Sequence, residues 1–136
     1  MKKSFTLIEI LVVVTIIMLL TTTATVTYTA FLKQSRDAKR KTDLEQIRAA
    51  LEMYRSNNDT YPVGSVYATT LSILTAPVTY IQSLPTDPKD PTYIYYYSGD
   101  ISDYTLGSYL EGGGSTCVAL QCGDNCNYCL GPYGQK

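Results

Sequence analysis

Apolar residues fill the first quarter of the chain almost without interruption. The stretch from Phe5 to Leu32 contains a single charged residue, Glu9. As an α-helix rising about 1.5 Å per residue, this stretch would be about 42 Å long, enough to cross a bilayer core of about 30 Å. A carboxylate inside such a helix costs roughly 2.5–3.5 kcal/mol on insertion scales. The pattern predicts a membrane-length helix whose one charge serves a partner that carries positive charge.

Beyond this stretch the apolar positions become periodic. Four of them recur three or four residues apart, the spacing of one helix face: Leu44, Ile47, Leu51 and Tyr54. The flanking residues carry charges of both signs, which is typical of a solvated face. The helix should continue to about residue 56, because Asn57-Asn58-Asp59 and then Pro62 oppose further helix.

The rest of the chain has the composition of loops and strands. The prolines spread through residues 57–91 indicate a connecting loop, and we expect one short helix within it at 71–75. Strand-like segments follow at 92–98 and 103–110, and a final hairpin is possible from 117–121 with 127–131. A sheet of three to four antiparallel strands would bury one face against the amphipathic helix. The predicted fold class is α+β, a long N-terminal helix packed on a small antiparallel sheet.

Composition narrows the function. The chain has a net charge of −1, no histidine and 13 tyrosines. The charge balance offers no basic field for nucleic acid, and the lack of histidine removes the commonest general base and zinc ligand. No nucleophile–base pair is apparent, so we expect no catalytic residue, no metal, no cofactor and no enzymatic activity. Tyrosine suits a surface that contacts other protein, so we expect the tyrosine-rich region to face outward.

The cysteines are clustered near the C-terminus, at Cys117, Cys122, Cys126 and Cys129. An even set behind a membrane-length helix favours an oxidising compartment and two structural disulfides. Four cysteines allow three pairings. A hairpin turning at 123–125 would favour the nested pairs, Cys117 with Cys129 and Cys122 with Cys126. A four-cysteine zinc site and a CxxC thiol site are the alternatives.

The apolar stretch itself has two ordinary interpretations. It could be a single-span membrane anchor. It could also be a secretory signal with its apolar region at Ile10–Leu20 and small residues at 22–24, although Glu9 fits poorly at the start of such a region.

A third interpretation comes from resemblance. Residues 2–14, Lys-Lys-Ser-Phe-Thr-Leu-Ile-Glu-Ile-Leu-Val-Val-Val, resemble the class III signal of type IV pilins and pseudopilins. That signal is a short basic leader, a small residue, then Phe-Thr-Leu-Ile-Glu and an apolar helix. The resemblance implies a leader at 1–4, cleavage between Ser4 and Phe5 by a prepilin peptidase, and N-methylation of Phe5. The family usually has glycine where this chain has Ser4.

The resemblance also gives Glu9 a role. Cleavage would leave a free amine on Phe5, and in this family the glutamate pairs with that amine on a neighbouring subunit. The pair offsets the desolvation of both charges and sets the register of one subunit on the next. Threonines crowd the same helix at positions 21, 22, 23, 25, 27 and 29. Two outcomes stay open there: local loss of helix in the filament, or a continuous helix with the hydroxyls bonded inside it.

Two weaker likenesses point the same way. The segment Leu84-Pro85-Thr86-Asp87-Pro88 and the pattern from Leu51 to Pro62 resemble parts of major pseudopilins and related pilins. Asp100 and Asp103 match the calcium loop of the major pseudopilin poorly and are expected to be ordinary turn residues.

The preferred interpretation is therefore a prepilin with a hydrophobic assembly helix at 5–32 and a globular domain at 33–136. Its mature form would be a structural subunit of a type IV pilus-like extracellular filament, a homo-oligomer. The expected partners are the prepilin peptidase/N-methyltransferase and the assembly machinery of the inner membrane, with no specific nucleic acid. The protein would reside in that membrane before assembly and on the cell surface afterwards. The alternatives are a pseudopilin of a type II secretion-like system and a membrane-anchored thiol or zinc protein.

Overall fold

The computed structural model describes residues 4–114, 117 and 122–136, with the backbone alone at 23–26. The chain divides into two compact units, Met1–Ser35 and Arg36–Lys136, near the predicted boundary between residues 32 and 33.

Helix α1 runs from Leu7 to Asn58. It is the one helix in the described part of the chain that is long and apolar enough to cross a membrane. The helix is unbroken through the threonine-rich segment. The Thr21 hydroxyl donates to the carbonyls of Ile17 and Met18, both at 3.0 Å, and the Thr22 hydroxyl donates to the Leu19 carbonyl at 2.9 Å. In the single chain these hydroxyls therefore bond within a continuous helix.

The end of α1 lies two residues beyond the predicted position. Asp59 adopts a φ of 61°, a left-handed conformation that stops helix propagation. The Asn58 side chain donates to the carbonyl of Tyr54 at 2.9 Å and so satisfies one of the last carbonyls.

A short helix does follow in the connecting region, but the prediction placed it too late. Helix α2 spans Tyr67–Leu71 and leads into a 3₁₀ turn at Ser72–Leu74. The spacing of Leu71 and Leu74, both fully buried, explains the arrangement, because the two side chains enter the core from consecutive turns.

Among the described residues, four antiparallel strands form one sheet in the order β1-β2-β3-β4: Tyr96–Gly99, Tyr104–Ser108, Tyr128–Gly131 and Gly134–Gln135. The α+β fold with a long helix and a small antiparallel sheet is confirmed. Strand β1 begins later than predicted, because the amides of Thr92 and Tyr93 both donate to the carbonyl of Lys89 and close a turn there.

The predicted final hairpin falls mostly on residues that the structure does not describe, but the pairing of its second segment is described. Strand β3 pairs with β2 on one side and, through Leu130 and Gly131, with β4 on the other. Most of the proposed partner, 117–121, lies outside the described residues; within it, Cys117 bonds through its amide to the carbonyl of Cys126 at 3.2 Å.

The core of the globular unit joins the predicted helix face to the sheet. Leu44, Ile47 and Leu51 are fully buried in one cluster with residues of β1, β2 and β3. Burying a side chain of this size stabilises the fold by roughly 1.5–3 kcal/mol.

The expectation that the tyrosines face outward is wrong for the central ones. Tyr61, Tyr95, Tyr97 and Tyr104 are at most 3 % exposed. Each ring is buried while its hydroxyl reaches an acceptor; Tyr97, for example, donates to the carbonyl of Pro62 at 2.6 Å. Burial raises the pKa of the Tyr97 hydroxyl, so it stays protonated as a donor.

Candidate functional site

The residues flanking the predicted cleavage bond are accessible. Ser4 and Phe5 precede α1 and are exposed, Phe5 by 78 %. A peptidase can bind an exposed bond outside a helix more readily than one inside it, so the position of Ser4 and Phe5 suits processing between them.

Thr6 and Glu9 form a capping box at the start of α1. Glu9 Oε2 accepts hydrogen bonds from the Thr6 amide at 2.9 Å and from the Thr6 hydroxyl at 2.8 Å. The Glu9 amide points back at the Thr6 hydroxyl at 3.4 Å. This reciprocal arrangement satisfies donors that the first helical turn leaves unpaired.

The capping box uses only one oxygen of the carboxylate. In the described part of the chain, no hydrogen bond reaches Glu9 Oε1. Phe5 and Glu9 were predicted as assembly residues and Thr6 was missed, although Thr6-x-x-Glu9 is the sequence signature of a capping box. At the start of α1, Oε2 of the Glu9 carboxylate is therefore bonded to Thr6, whereas Oε1 is available to another donor.

The apolar side chains of this first unit are exposed. Every large apolar side chain described from Phe5 to Leu20 is at least 41 % exposed. Monomeric soluble proteins rarely present apolar surface on this scale. The helix thus requires a bilayer, other helices or both as its surroundings.

A second polar assembly, absent from the predictions, lies in the globular unit. We call it the ion cluster, and it consists of Arg36, Asp37, Arg40, Asp87, Lys89 and Glu111. Arg40 is fully buried and binds Asp87 with two hydrogen bonds of 2.7 and 2.9 Å. The same guanidinium donates to Asp37 at 2.8 Å and Glu111 at 3.1 Å.

Glu111 binds the other two cations of the cluster, Arg36 and Lys89. Arg36 donates to both of its oxygens, at 2.6 and 2.7 Å, and Lys89 donates at 2.8 Å. Hydrogen bonds from Arg36, and also from Lys89 and Arg40, hold the pKa of Glu111 well below its usual range, against the opposing effect of burial. Asp37 accepts from the amides of Glu111 and Gly112. The cluster therefore joins α1 to two loops that are distant in sequence.

The structure pairs the cysteines in the nested arrangement. Cys117 bonds to Cys129 and Cys122 bonds to Cys126, and the described cysteines include no free thiol. The two cysteines of the CxxC motif, Cys126 and Cys129, thus belong to different disulfides. Cys122 and Cys126 are at most 1 % exposed, a setting suited to a structural role. Within the described residues, no group of three or more potential metal ligands is present.

Asp100 and Asp103 lie in the turn between β1 and β2, where the Asp100 amide donates to the Asp103 carbonyl at 2.8 Å. Asp100 accepts from the amide of Ile101 at 2.7 Å. Asp103 binds the Lys136 ammonium at 2.8 Å, and that ammonium also donates to the Tyr104 carbonyl and the Thr105 hydroxyl. A side-chain cation therefore sits among these oxygens.

An exposed apolar N-terminal helix with a capped acidic start, joined to a small α+β unit, defines the pilin-like class of filament subunits. Two family profiles match the chain. The profile described as a prokaryotic N-terminal methylation motif matches residues 1–25, and the one described as type II secretion system (T2SS), protein G, matches residues 27–117. The chain belongs to the T2SS protein G family.

Two relatives support this assignment. The chain is 31 % identical over 124 residues to the type II secretion system core protein G of Vibrio cholerae, covering 82 % of this chain and 84 % of the relative. It is 31 % identical over 114 residues to the protein of the same name from Escherichia coli, covering 77 % and 79 %. No solved structure gave a significant match. The resemblance to pilins and pseudopilins is confirmed. The relatives' names correspond to the alternative expected from the sequence, a pseudopilin of a type II secretion-like system.

Proposed function

We propose that this chain is a structural subunit, not an enzyme, of a pseudopilus-like filament that grows from the inner membrane. The observation that carries the proposal is the first unit: an exposed apolar helix that begins with Glu9 held by Thr6. The family membership supports it.

The chemistry of assembly follows from that end of the helix. Cleavage between Ser4 and Phe5 would convert the Phe5 amide nitrogen into an amine, to be methylated. Glu9 Oε1, which the capping box leaves available, can accept a charge-assisted hydrogen bond from the Phe5 amine of a neighbouring copy. Both charges leave water when apolar helices pack around them, so a missing partner costs far more there than in solution.

Cell-surface display is a second candidate, and the disulfides are compatible with it as they are with the periplasm. The two disulfides hold the C-terminal residues of a small domain, as expected of a protein that spends its life outside the cytoplasm. The two locations separate experimentally: a surface pilus is recovered by shearing intact cells, whereas a periplasmic filament is recovered only after the outer envelope is opened.

The test combines mass and assembly. The intact mass of the filament fraction should match a chain that begins at methylated Phe5 with both disulfides formed. Glu9→Gln should abolish filaments while processing continues, because the Phe5 amine then lacks a carboxylate. The matched control is Glu45→Gln, which changes an exposed carboxylate on the same helix that pairs with Arg48. An unprocessed chain, or filaments of Glu9→Gln at the wild-type yield, would overturn the proposal.

A further inference from the structure

The side chain of Lys136 crosses the sheet from one strand to another. Lys136 directly follows β4, and β3 lies between β4 and β2. Its ammonium nevertheless reaches the start of β2, where it donates to the Asp103 carboxylate at 2.8 Å, the Tyr104 carbonyl at 2.9 Å and the Thr105 hydroxyl at 3.1 Å. Because an ammonium has three donors and no acceptor, these three oxygens use its full capacity.

Gly131, at the end of β3, leaves the space through which this side chain passes. A Cβ built on Gly131 would overlap Cε of Lys136 and would lie 3.2 Å from its Cδ and Nζ. The backbone of Gly131 lies outside the left-handed region, so alanine could adopt its conformation. What glycine supplies at this position is therefore room for the lysine stem.

Strand β4 has few other attachments in the part of the chain that the structure describes. It contains two residues and pairs with β3 at two positions. Gln135 is exposed, and neither residue of β4 belongs to the buried core. The Lys136 amide donates to the Cys129 carbonyl at 3.0 Å, and in the turn before β4 the Pro132 carbonyl accepts from Arg48 at 3.3 Å. A strand this short, with no side chain in the core, depends on the Lys136 ammonium to stay in place.

Strand β4 covers part of one edge of β3. The residues of β3, Tyr128–Gly131, include no charge. If β4 left, main-chain groups of this edge, among them the Cys129 carbonyl, would be free to pair with a strand of another chain. Native sheets protect such edges with very short strands and with lysine, and both devices are present here.

We propose that Lys136 is a latch, whose ammonium at the start of β2 keeps β4 on the edge of β3 and so prevents that edge from pairing with the same edge of a second copy. The inference concerns the globular unit alone and goes beyond the proposed filament. The side chains of Lys136 and Asp103 are 38 % and 56 % exposed. An exposed contact of this kind adds little to global stability, so the latch can open while the core stays folded.

Hydrogen exchange in the full-length chain in detergent tests the latch. Lys136→Met removes the ammonium, and Gly131→Ala displaces the stem while the ammonium is retained. In both variants the amide of residue 136 should exchange about tenfold faster than in the wild type, because β4 opens locally. The matched control, Lys136→Arg, keeps a cation and should stay within about twofold of the wild type. Amides around Leu44 and Leu51 should keep their protection in every variant, which shows that the core is folded.

Cross-linking tests whether the opened edge pairs with a second copy. Lys41 lies over the ring of Tyr128 in β3, with its ammonium 5.4 Å from the ring centroid. Two copies joined along their β3 edges would bring their Lys41 side chains within reach of an amine-reactive cross-linker. In a mixture of isotopically light and heavy chains, mixed Lys41–Lys41 links should rise about fivefold in Lys136→Met and Gly131→Ala and should not rise in Lys136→Arg.

The two measurements can fail separately. Exchange at residue 136 that is the same in Lys136→Met and the wild type would overturn the latch. Faster exchange without additional mixed links would overturn the protection of the β3 edge. Neither measurement requires filaments, so a wild-type chain that never assembles would overturn the proposed function without deciding against the latch.

Discussion

Arg40 and Asp87 form a two-bond ion pair whose side chains are both fully buried. Nε donates to Oδ2 at 2.7 Å and Nη2 to Oδ1 at 2.9 Å. Burial alone would lower the pKa of Arg40, but the hydrogen bonds to Asp87, Glu111 and Asp37 outweigh it and raise that pKa. The pair joins α1 to the segment before β1, near the point where the globular unit begins.

Replacing Asp87 by Asn should lower the free energy of unfolding of the globular unit by roughly 3–5 kcal/mol, because it leaves a buried guanidinium without its main partner. Urea denaturation of the full chain in detergent would measure the change. The matched control is Glu45→Gln, which removes an exposed ion pair to Arg48 and should cost no more than about 1 kcal/mol. Equal effects of the two substitutions would contradict this account of the cluster.

Glu111 should make the stability of the globular unit depend on acid pH. The pKa of Glu111 in the folded state is depressed, chiefly by the hydrogen bonds from Arg36, whereas in the unfolded chain its carboxyl should have a pKa of about 4.3. A depressed pKa contributes stability that is present above the unfolded value and is lost as pH falls through the folded one. The free energy of unfolding should therefore decline as pH falls below about 4.

The comparison that isolates this effect is Glu111→Gln. The variant should be less stable than the wild type at neutral pH, and the difference should shrink as the solution becomes more acid. Denaturation curves recorded at several pH values would show it. A difference that stays constant with pH would assign the effect of the substitution to packing instead of charge.

The helix and its buried face were predictable because they rest on local pattern. Leu44, Ile47 and Leu51 stand at helical spacing, and all three are buried against the sheet. The ion cluster was not predictable in the same way. Its central pair joins residues 47 positions apart, and Glu111 lies 71 positions from Arg40. The sequence shows these charges on a helix, but only the fold brings their partners to them.

The buried tyrosines show a second limit of the sequence. Tyr95 and Tyr104 alternate with exposed or partly exposed residues in strand-like segments. A tyrosine side chain suits either a surface or a core, so the sequence pattern does not decide between them. Their acceptors decide the outcome: the Tyr95 hydroxyl donates to Asp43 at 2.7 Å, and the Tyr104 hydroxyl to Glu52 at 3.2 Å. Both acceptors belong to α1, so the burial of each ring depends on a contact between distant parts of the chain.

The two disulfides should differ in their contributions to stability. Cys117 and Cys129 are 12 residues apart, whereas Cys122 and Cys126 are 4 apart. On the loop-entropy account, the outer disulfide stabilises by about 3 kcal/mol and the inner by about 2. Denaturation of Cys117→Ser/Cys129→Ser and Cys122→Ser/Cys126→Ser should rank them in that order. The reverse order would show that the close packing of Cys126 under Gly107 outweighs loop length.

The capping box should make Thr6 important for the start of α1. Thr6→Val keeps the shape of the side chain but removes the hydroxyl that donates a hydrogen bond to Glu9 Oε2 at 2.8 Å. Loss of such a cap costs about 1 kcal/mol, so amides of the first turn should exchange with solvent about fivefold faster in detergent. Thr6→Ser retains the hydroxyl and should exchange like the wild type. Equal exchange in Thr6→Val and Thr6→Ser would show that the amide of Thr6 alone holds Glu9 in place.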